Sequence, residues 1–356
     1  LIYGQLPTSA RSWQNEHLSY THGYGMCMAP SNEITEEGDP VLMVKDIPVK
    51  VNSMLGLELK RPELYFNETS EGYVVVRTGA PEIDYPQGDT NVLVEPYYQG
   101  SGGVQLDSWL KRLAFSIRFS DISLLLSGYV GEDSRLMFRR TLKDRIGAVA
   151  PFLSLDSDPY LVINDAGELI WIQDAYTTSD LYPYSEHFND INYIRNSVKI
   201  TVNAFDGKMS FYLVDPSDPV ALTYSKIFPD LFTPGEEMPP DIRRHLRYPE
   251  GLFNTQMAMF KTYHINDVNA FYQKEDLWDI PTQTYGVDRG SVPLTAFYVI
   301  LRLPGEENEE LVLMQPFNPR GKANMVDWVA ARCDEPHYGQ IINFSFPAGK
   351  LITGVQ

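Results

Sequence analysis

Cysteine is nearly absent: Cys27 and Cys333 are the only two in 356 residues. Two are too few for a disulfide-framework protein. Either they pair and close most of the chain into one loop, or both are buried thiols, the usual state of free cysteine. No uninterrupted apolar run approaches the roughly 18 residues of a membrane span. Positive charge is scarce, with 29 Lys+Arg against 47 Asp+Glu and a formal net charge of −18. That deficit excludes sequence-independent nucleic-acid binding, whose affinity comes from neutralising phosphates. It also argues against direct adhesion to anionic lipid. HExxH, G-x-S-x-G, GxGxxG and the phosphate-binding GxxxxGK[ST] are missing, which removes the usual support for zinc-protease, seryl-hydrolase, dinucleotide and P-loop chemistry. The chain opens on Leu1 with no initiator methionine and no signal-like segment, and reads as a piece of something longer.

What is present suits a folded protein. Hydrophobic residues make up 43% and charged residues 21%, against disorder. A chain of this length buries about three quarters of its unfolded surface. Residues 1–150 read as a β-rich lobe ending in a basic helical pair. Leu42–Val44, Tyr73–Arg77 and Asn91–Val94 are its strands, separated by turn signals such as Glu37-Gly38-Asp39-Pro40. Asp107 is placed to cap a helix carrying Leu110, Leu113, Ala114 and Ile117 at i, i+3, i+4 and i+7. A second helix is expected from Asp133, with Phe138, Leu142, Ile146 and Val149 on one face and Arg135, Arg139 and Lys143 on another. Between 107 and 147, eight basic residues face five acidic ones, a net +3 that leaves −21 for the rest. The plain reading is a solvated basic face; the sharper one is a docking surface for an acidic partner or lipid headgroups.

Residues 151–356 read as a β-meander, short helices and a C-terminal sheet. Tyr160–Ile163 and Leu169–Ile172 flank Asn164-Asp165-Ala166-Gly167, and Val198–Phe205 and Lys208–Val214 flank Asp206-Gly207, a strong hairpin signal. Pro239-Pro240-Asp241 and Pro249-Glu250 open short helices over residues 239–278. Residues 295–303, 311–315 and 341–346 are expected as strands and 323–333 as a helix. Strand 341–346 and apolar Leu351-Ile352 suggest a sheet edge awaiting a partner. Segregated strand and helix blocks predict an α+β fold of antiparallel sheets.

Three places could carry chemistry. The densest polar run spans Trp13 to Gly25, with Glu16, His17, Tyr20, His22 and Tyr24. His17 and His22 point to opposite faces of a strand and about 140° apart on a helix, so no metal site is expected. As a strand, Tyr20, His22 and Tyr24 share a face while Gly23 and Gly25 leave the other bare, which makes His22 the candidate for proton exchange near neutrality and Tyr20 and Tyr24 its candidate ligand-binding neighbours. The alternative is core packing. The loop Asn318–Lys322 places Arg320 and Lys322 at the start of the expected helix, a candidate anion site or simply a basic turn. Glu82, Asp84 and Asp89, set among Tyr85, Tyr97 and Tyr98, could form a glycosidase-like carboxylate pair over stacking rings, or an ordinary acidic surface. Asp156-Ser-Asp158 and Asp215-Pro-Ser-Asp218 lack EF-hand spacing. No cofactor is implied.

Several runs carry a resemblance. They include Asn15-Glu-His-Leu-Ser-Tyr-Thr-His-Gly-Tyr-Gly25, Leu106-Asp-Ser-Trp-Leu-Lys-Arg-Leu-Ala-Phe115, Asp158-Pro-Tyr-Leu-Val162 and Trp171-Ile-Gln-Asp-Ala-Tyr-Thr-Thr-Ser179. Phe205-Asp-Gly-Lys208, Gln315-Pro-Phe-Asn-Pro-Arg-Gly-Lys322 and Trp328-Val-Ala-Ala-Arg-Cys-Asp334 complete the set. In order and over nearly the whole chain, these runs resemble the UPF0182 family of uncharacterised bacterial membrane proteins. The resemblance implies several N-terminal transmembrane helices followed by a large region outside the cytoplasm, of which this chain is a part. It implies the absent membrane-spanning region as a partner, with a homo-oligomer or another envelope component as further ones. It assigns no activity and no catalytic residue. Two functions follow as expectations: a non-enzymatic extracytoplasmic module in envelope assembly, transport or interaction, or an envelope glycan hydrolase using Glu82 and Asp84.

Overall fold

The structure, a computed structural model, describes residues 12–30, 33–87, 90–93, 98–285, 290–347 and 352. Asp89, Tyr97 and Leu351 lie outside the described residues. A short π-helical turn, Asn15–Ser19, comes first, where an extended segment was expected. Eight short strands follow: β1 (Gly23–Tyr24), β2 (Val44–Lys45), β3 (Lys50–Val51), β4 (Glu63–Leu64), β5 (Val74–Val76), β6 (Ile83–Gln87), β7 (Thr90–Leu93) and β8 (Val104–Gln105). β1 pairs with β4, β2 with β3 and β6 with β7, all antiparallel.

Helices α1 (Trp109–Phe119) and α2 (Ser123–Leu126) precede β9 (Arg135–Met137) and α3 (Leu142–Val149). Ser108 rather than Asp107 caps α1, accepting from the Lys111 N–H, while Asp107 pairs with the Lys111 ammonium at 2.8 Å. The helix expected from Asp133 does not form there. β9 inserts between β5 and β8, and the ladder on both sides satisfies more backbone groups than one helical turn would. The helix starts only where Thr141 can cap it, its hydroxyl accepting from the Asp144 N–H at 3.2 Å. The stripe of Arg135, Arg139 and Lys143 therefore does not exist as a helix face. Arg135 instead donates to the carbonyls of Ser101, Gly102 and Gly103.

The largest sheet contains β10 (Ser154–Leu155), β11 (Tyr160–Ile163), β12 (Leu169–Ser179), β13 (Tyr193–Asn203) and β14 (Met209–Leu213), all antiparallel. After α4 (Pro219–Ile227), β15 (Phe232–Pro234) adds parallel to β14. Gly207 in the β13–β14 turn has φ +72°, and a Cβ there would meet the Phe66 ring at 2.6 Å, so both the turn and its packing require glycine. Alternation divides the sheet. Trp171, Ala175, Val198, Ile200 and Val202 join Leu142 and Ile146 of α3 and Leu64 of β4 in one core cluster. Ile170, Ile172 and Tyr212 face the other way, onto Met238 and Ile242.

Helices α5 (Pro240–Arg243), α6 (Glu250–Tyr263) and α7 (Val268–Gln273) follow their proline and aspartate starts. Strands β16 (Trp278–Asp279), β17 (Thr282–Tyr285), β18 (Gly290–Pro293), β19 (Phe297–Leu301), β20 (Glu310–Pro319), β21 (Asp327–Arg332) and β22 (Ile341–Ser345) complete the chain. β17 and β18 form a hairpin; the others form a second sheet, with β20 between β19 and β21 and with β22 paired to β21. The helix expected over 323–333 is β21. Its Ala-Ala-Arg sequence favours a helix weakly, but pairing on both sides and complete burial of Val329, Ala330 and Ala331 outweigh that preference. Phe253 and Met257 of α6 pack between Tyr176 of the first sheet and Leu313, Phe317 and Val329 of the second. The fold is α+β, with helices in blocks separate from antiparallel-dominated sheets.

Candidate functional site

The first candidate run folds into two hydrogen-bonded clamps. His17 stacks on the Tyr73 ring with centroids 4.1 Å apart, and its Nδ1 lies 2.7 Å from the Tyr73 carbonyl. The Trp13 indole N–H and the Tyr73 hydroxyl both donate to Asp121 Oδ2, at 2.7 and 2.5 Å. Burial alone would raise the Asp121 pKa, but these donors and the Ser123 N–H hold it below the usual carboxylate value. In the second clamp, the Thr21 and Tyr65 hydroxyls donate to Glu82 Oε2 at 2.7 and 2.9 Å. Buried Arg140 donates to the carbonyls of the same two residues, at 2.6 and 2.9 Å.

His22 is not the proton exchanger its place in the sequence suggests. Its Nδ1 rests on the Gly23 carbonyl at 3.0 Å, and its ring lies 4.8 Å from that of Tyr65. Burial, with Arg140 nearby, pushes its pKa down to about 4, so it is neutral throughout the physiological range. Tyr24 is buried against Tyr85 and Tyr20 sits in the turn after the π-helical segment, so the shared strand face expected of Tyr20, His22 and Tyr24 is not formed. Among the described residues no group of His, Cys, Asp and Glu could hold a metal ion.

Burial raises the pKa of Glu82, Asp84 and Glu63. Glu82 Oε1 makes no hydrogen bond of normal geometry, although the Arg77 and Tyr98 N–H groups still favour its ionised form. Neither Glu82 nor Asp84 lines the cavities of 290, 400 and 890 Å³. Arg320 and Lys322 lie in the β20–β21 turn rather than at a helix start, which removes the anion site. Arg320 Nε is 3.6 Å from Asp279. Asp156, Asp158 and Asp218 all accept from neighbouring groups of the fold.

A buried polar seam joins the two large sheets. Asp174 of β12 and Lys199 of β13 are cross-strand neighbours, and Lys199 is 0% exposed. The Lys199 ammonium donates to Asp174 and, at 3.4 Å, to the Arg247 carbonyl, which also accepts from the Tyr338 hydroxyl. The Arg247 guanidinium lies over the rings of Tyr160 and Tyr298, at 4.1 and 4.7 Å, and bonds Asp158 at 2.6 Å. Burial raises Asp174 against the pull of Lys199. Cys333, at the edge of the 890 Å³ cavity, accepts from the Tyr248 N–H, and burial pushes its thiol up to about 11. A thiol so protonated is a poor nucleophile. Cys27 is exposed and both cysteines are free, so the pairing reading fails and the buried-thiol reading holds for Cys333 alone.

One apolar surface with no internal partner among the described residues is the outer face of α1 and α2. At 100° per residue, Trp109, Leu110, Leu113 and Ile117 share an arc of about 100°. The core contact is made instead by Phe115 and Phe119, which pack on Phe138 and, for Phe119, on Tyr73. Trp109, Leu110, Ile117, Ile122 and Leu126 are consequently between 61% and 73% exposed. On the same wheel Arg118 and Lys111 fall about 80° and 100° beyond the edge of this arc; Arg118 lies over the Phe138 ring at 5.2 Å and Lys111 pairs with Asp107. The spacing of Leu110, Leu113, Ala114 and Ile117 marks an amphipathic helix without saying which way the stripe turns, and the structure turns Leu110 and Ile117 outward. The apolar run Ile122-Ser-Leu-Leu-Leu126 was the available signal for a larger patch. Among the described residues no helix is long and apolar enough to cross a membrane.

Comparison with known proteins gives the chain its relatives. The signature of the uncharacterised protein family UPF0182 matches residues 1–356. A UPF0182 protein of Sulfurovum sp. is 48% identical over 98% of this chain and 38% of its own length. One from Pelotomaculum thermopropionicum is 47% identical over 98% and 38%, and one from Methanospirillum hungatei 45% over 98% and 39%. The chain thus spans about two fifths of the length of the curated relatives it matches. No solved structure matches. Signature and identity agree over the whole chain: it belongs to the UPF0182 family.

Proposed function

We propose that this chain is the extracytoplasmic module of a multi-pass membrane protein, a non-enzymatic interaction piece serving envelope assembly or transport, and that it rests on an anionic bilayer through the outer face of α1 and α2. The observation that carries this reading is the outward turn of the Leu110–Ile117 stripe. An amphipathic helix with Trp, Leu and Ile on one side and Lys and Arg on its polar face suits the headgroup–acyl boundary. The stripe lies in the segment whose local charge is +3 in a chain of −18. Burying Leu110, Ile117, Ile122 and Leu126, each about two thirds exposed, contributes about 4–8 kcal/mol. That corresponds to reversible, millimolar-to-micromolar attachment. Co-sedimentation of the chain with phosphatidylglycerol-containing and purely zwitterionic vesicles tests it. Binding is expected to the anionic vesicles, to weaken with salt, and to disappear in Leu110→Glu/Ile117→Glu. No binding at low salt, or binding indifferent to that double variant, overturns the proposal.

The glycan-hydrolase reading has one observation in its favour, a Glu82 carboxyl whose burial favours the protonated state a general acid needs. The Thr21 and Tyr65 hydroxyls hold Oε2; Oε1, though without a hydrogen bond, is buried, and Glu82 lines none of the three cavities a glycan could enter. We favour the module.

A further inference from the structure

A cavity of about 290 Å³ lies between α3 and the β8–β9 edge. Its floor is apolar, made by the buried Phe66 and Met137 and by Met209 of β14. Val104 and Val149 form half-exposed rims on either side. Among the described residues the charged groups that line it are Arg139 and Arg145, both guanidinium ions, and no carboxylate does. Arg145 lies over the Phe66 ring at 4.4 Å and uses Nε on the Gly207 carbonyl at 2.7 Å. The nearest acid acting on it is Asp206, whose Oδ1 accepts from the Lys208 N–H. Arg139 is exposed and makes no hydrogen bond or ion pair with a described residue. Its backbone is held at φ +50°, a left-handed conformation uncommon for a non-glycine residue. Such strain persists where the surroundings impose it, and it concentrates at ligand sites.

Apolar floor and paired cations define the ligand class. Guanidinium groups match carboxylate and phosphate oxygens in shape and charge. The accessible apolar lining, Val104, Val149 and Met209, suits hydrocarbon, and the volume is at the small end of ligand pockets, about 300–1,000 Å³, which fits one chain rather than two. We propose that this cavity binds a single anionic amphiphile, its carboxylate or phosphate between Arg139 and Arg145 and its chain against Val104, Val149 and Met209. The site shares the net-positive segment with α1 but does not depend on bilayer docking. The ligand's source is either a free fatty acid or a lipid drawn from a membrane.

Calorimetric titration of the full chain with decanoate tests the chemistry, beside decanol (chain without charge) and inorganic phosphate (charge without chain). One equivalent of decanoate is expected to bind, at least tenfold tighter than either control. Arg139→Gln should weaken it about tenfold, and Ala148→Trp, which crowds the cavity from its rim, should abolish it with the thermal midpoint retained. Equal binding of decanol or of phosphate, no saturable binding of decanoate, or indifference to both substitutions overturns the proposal. Mass spectrometry of protein recovered from vesicles containing lysophosphatidylglycerol, a single-chain anionic lipid, separates the sources. A retained lysophospholipid assigns a membrane origin, whereas decanoate binding without it assigns a free fatty acid. Leu110→Glu/Ile117→Glu should leave decanoate binding intact, so failure of bilayer docking and failure of this site are read separately.

Discussion

Thr21 and Tyr65 are each held twice, by Glu82 through their hydroxyls and by Arg140 through their carbonyls. His22 sits beside this clamp in its neutral form, with consequences for acid stability. The folded state leaves His22 unprotonated down to about pH 4, whereas the unfolded chain protonates it below its ordinary value of 6.5. Stability from this residue is therefore complete above 6.5 and is lost as pH falls from 6.5 towards 4. Urea denaturation at pH 7 and pH 4.5 should show a loss of about 2–3 kcal/mol that His22→Gln lacks. Identical pH dependence in both proteins would contradict the assignment. The buried Lys199–Asp174 pair gives a second test. Lys199→Met leaves an uncompensated buried carboxyl and should cost about 3–5 kcal/mol, much of it recovered in Lys199→Met/Asp174→Leu. Little of this was legible in the sequence. Strand alternation through Val198-Lys-Ile-Thr-Val202 reads Lys199 as solvent-facing. It is buried because residues 247 and 338, distant in the chain, close over that face.

At the scale of elements, turn and cap chemistry carried the reading. Asp206-Gly207 and Asn164–Gly167 make the hairpins their residues suggest, and the prolines at 240 and 249 open α5 and α6. The errors fall where pairing partners far along the chain overrule local preference, as in β9 and β21. For α1 the period was legible but not the orientation. Phe115 and Phe119 compete with Leu110 and Ile117 for the core, and the larger rings, stacking on Tyr73 and Phe138, take it. Phe119→Ala should cost about 2–4 kcal/mol, below a full core truncation because the ring is only partly buried. Leu110→Ser should cost less than about 0.5 kcal/mol, as at other exposed positions. Chemical denaturation of the two variants distinguishes this orientation from its reverse, in which the costs exchange.

Across the whole molecule, α6 and the 244–249 segment tie the two large sheets together; Lys199, Asp174, Arg247, Asp158 and Tyr338 of that seam bond within the fold, while the buried Tyr160 hydroxyl makes no hydrogen bond. Within the net-positive segment, the outer face of α1 and α2 is left without an internal partner among the described residues. The segment's charge asymmetry was legible from composition; its geometry required the fold, since Arg135 turns inward while Trp109, Leu110 and Ile117 turn out. The reading of the chain as a membrane-seated module stands on that face. The most direct measurement is quenching of tryptophan emission by vesicles whose anionic lipids carry bromine on the acyl chains. Trp109 lies on the docking face, and Trp109→Phe isolates its contribution from the four other tryptophans. The account expects quenching of the wild-type chain that disappears in Trp109→Phe while binding persists. Bound protein with no quenching, or quenching unchanged by that substitution, would contradict it.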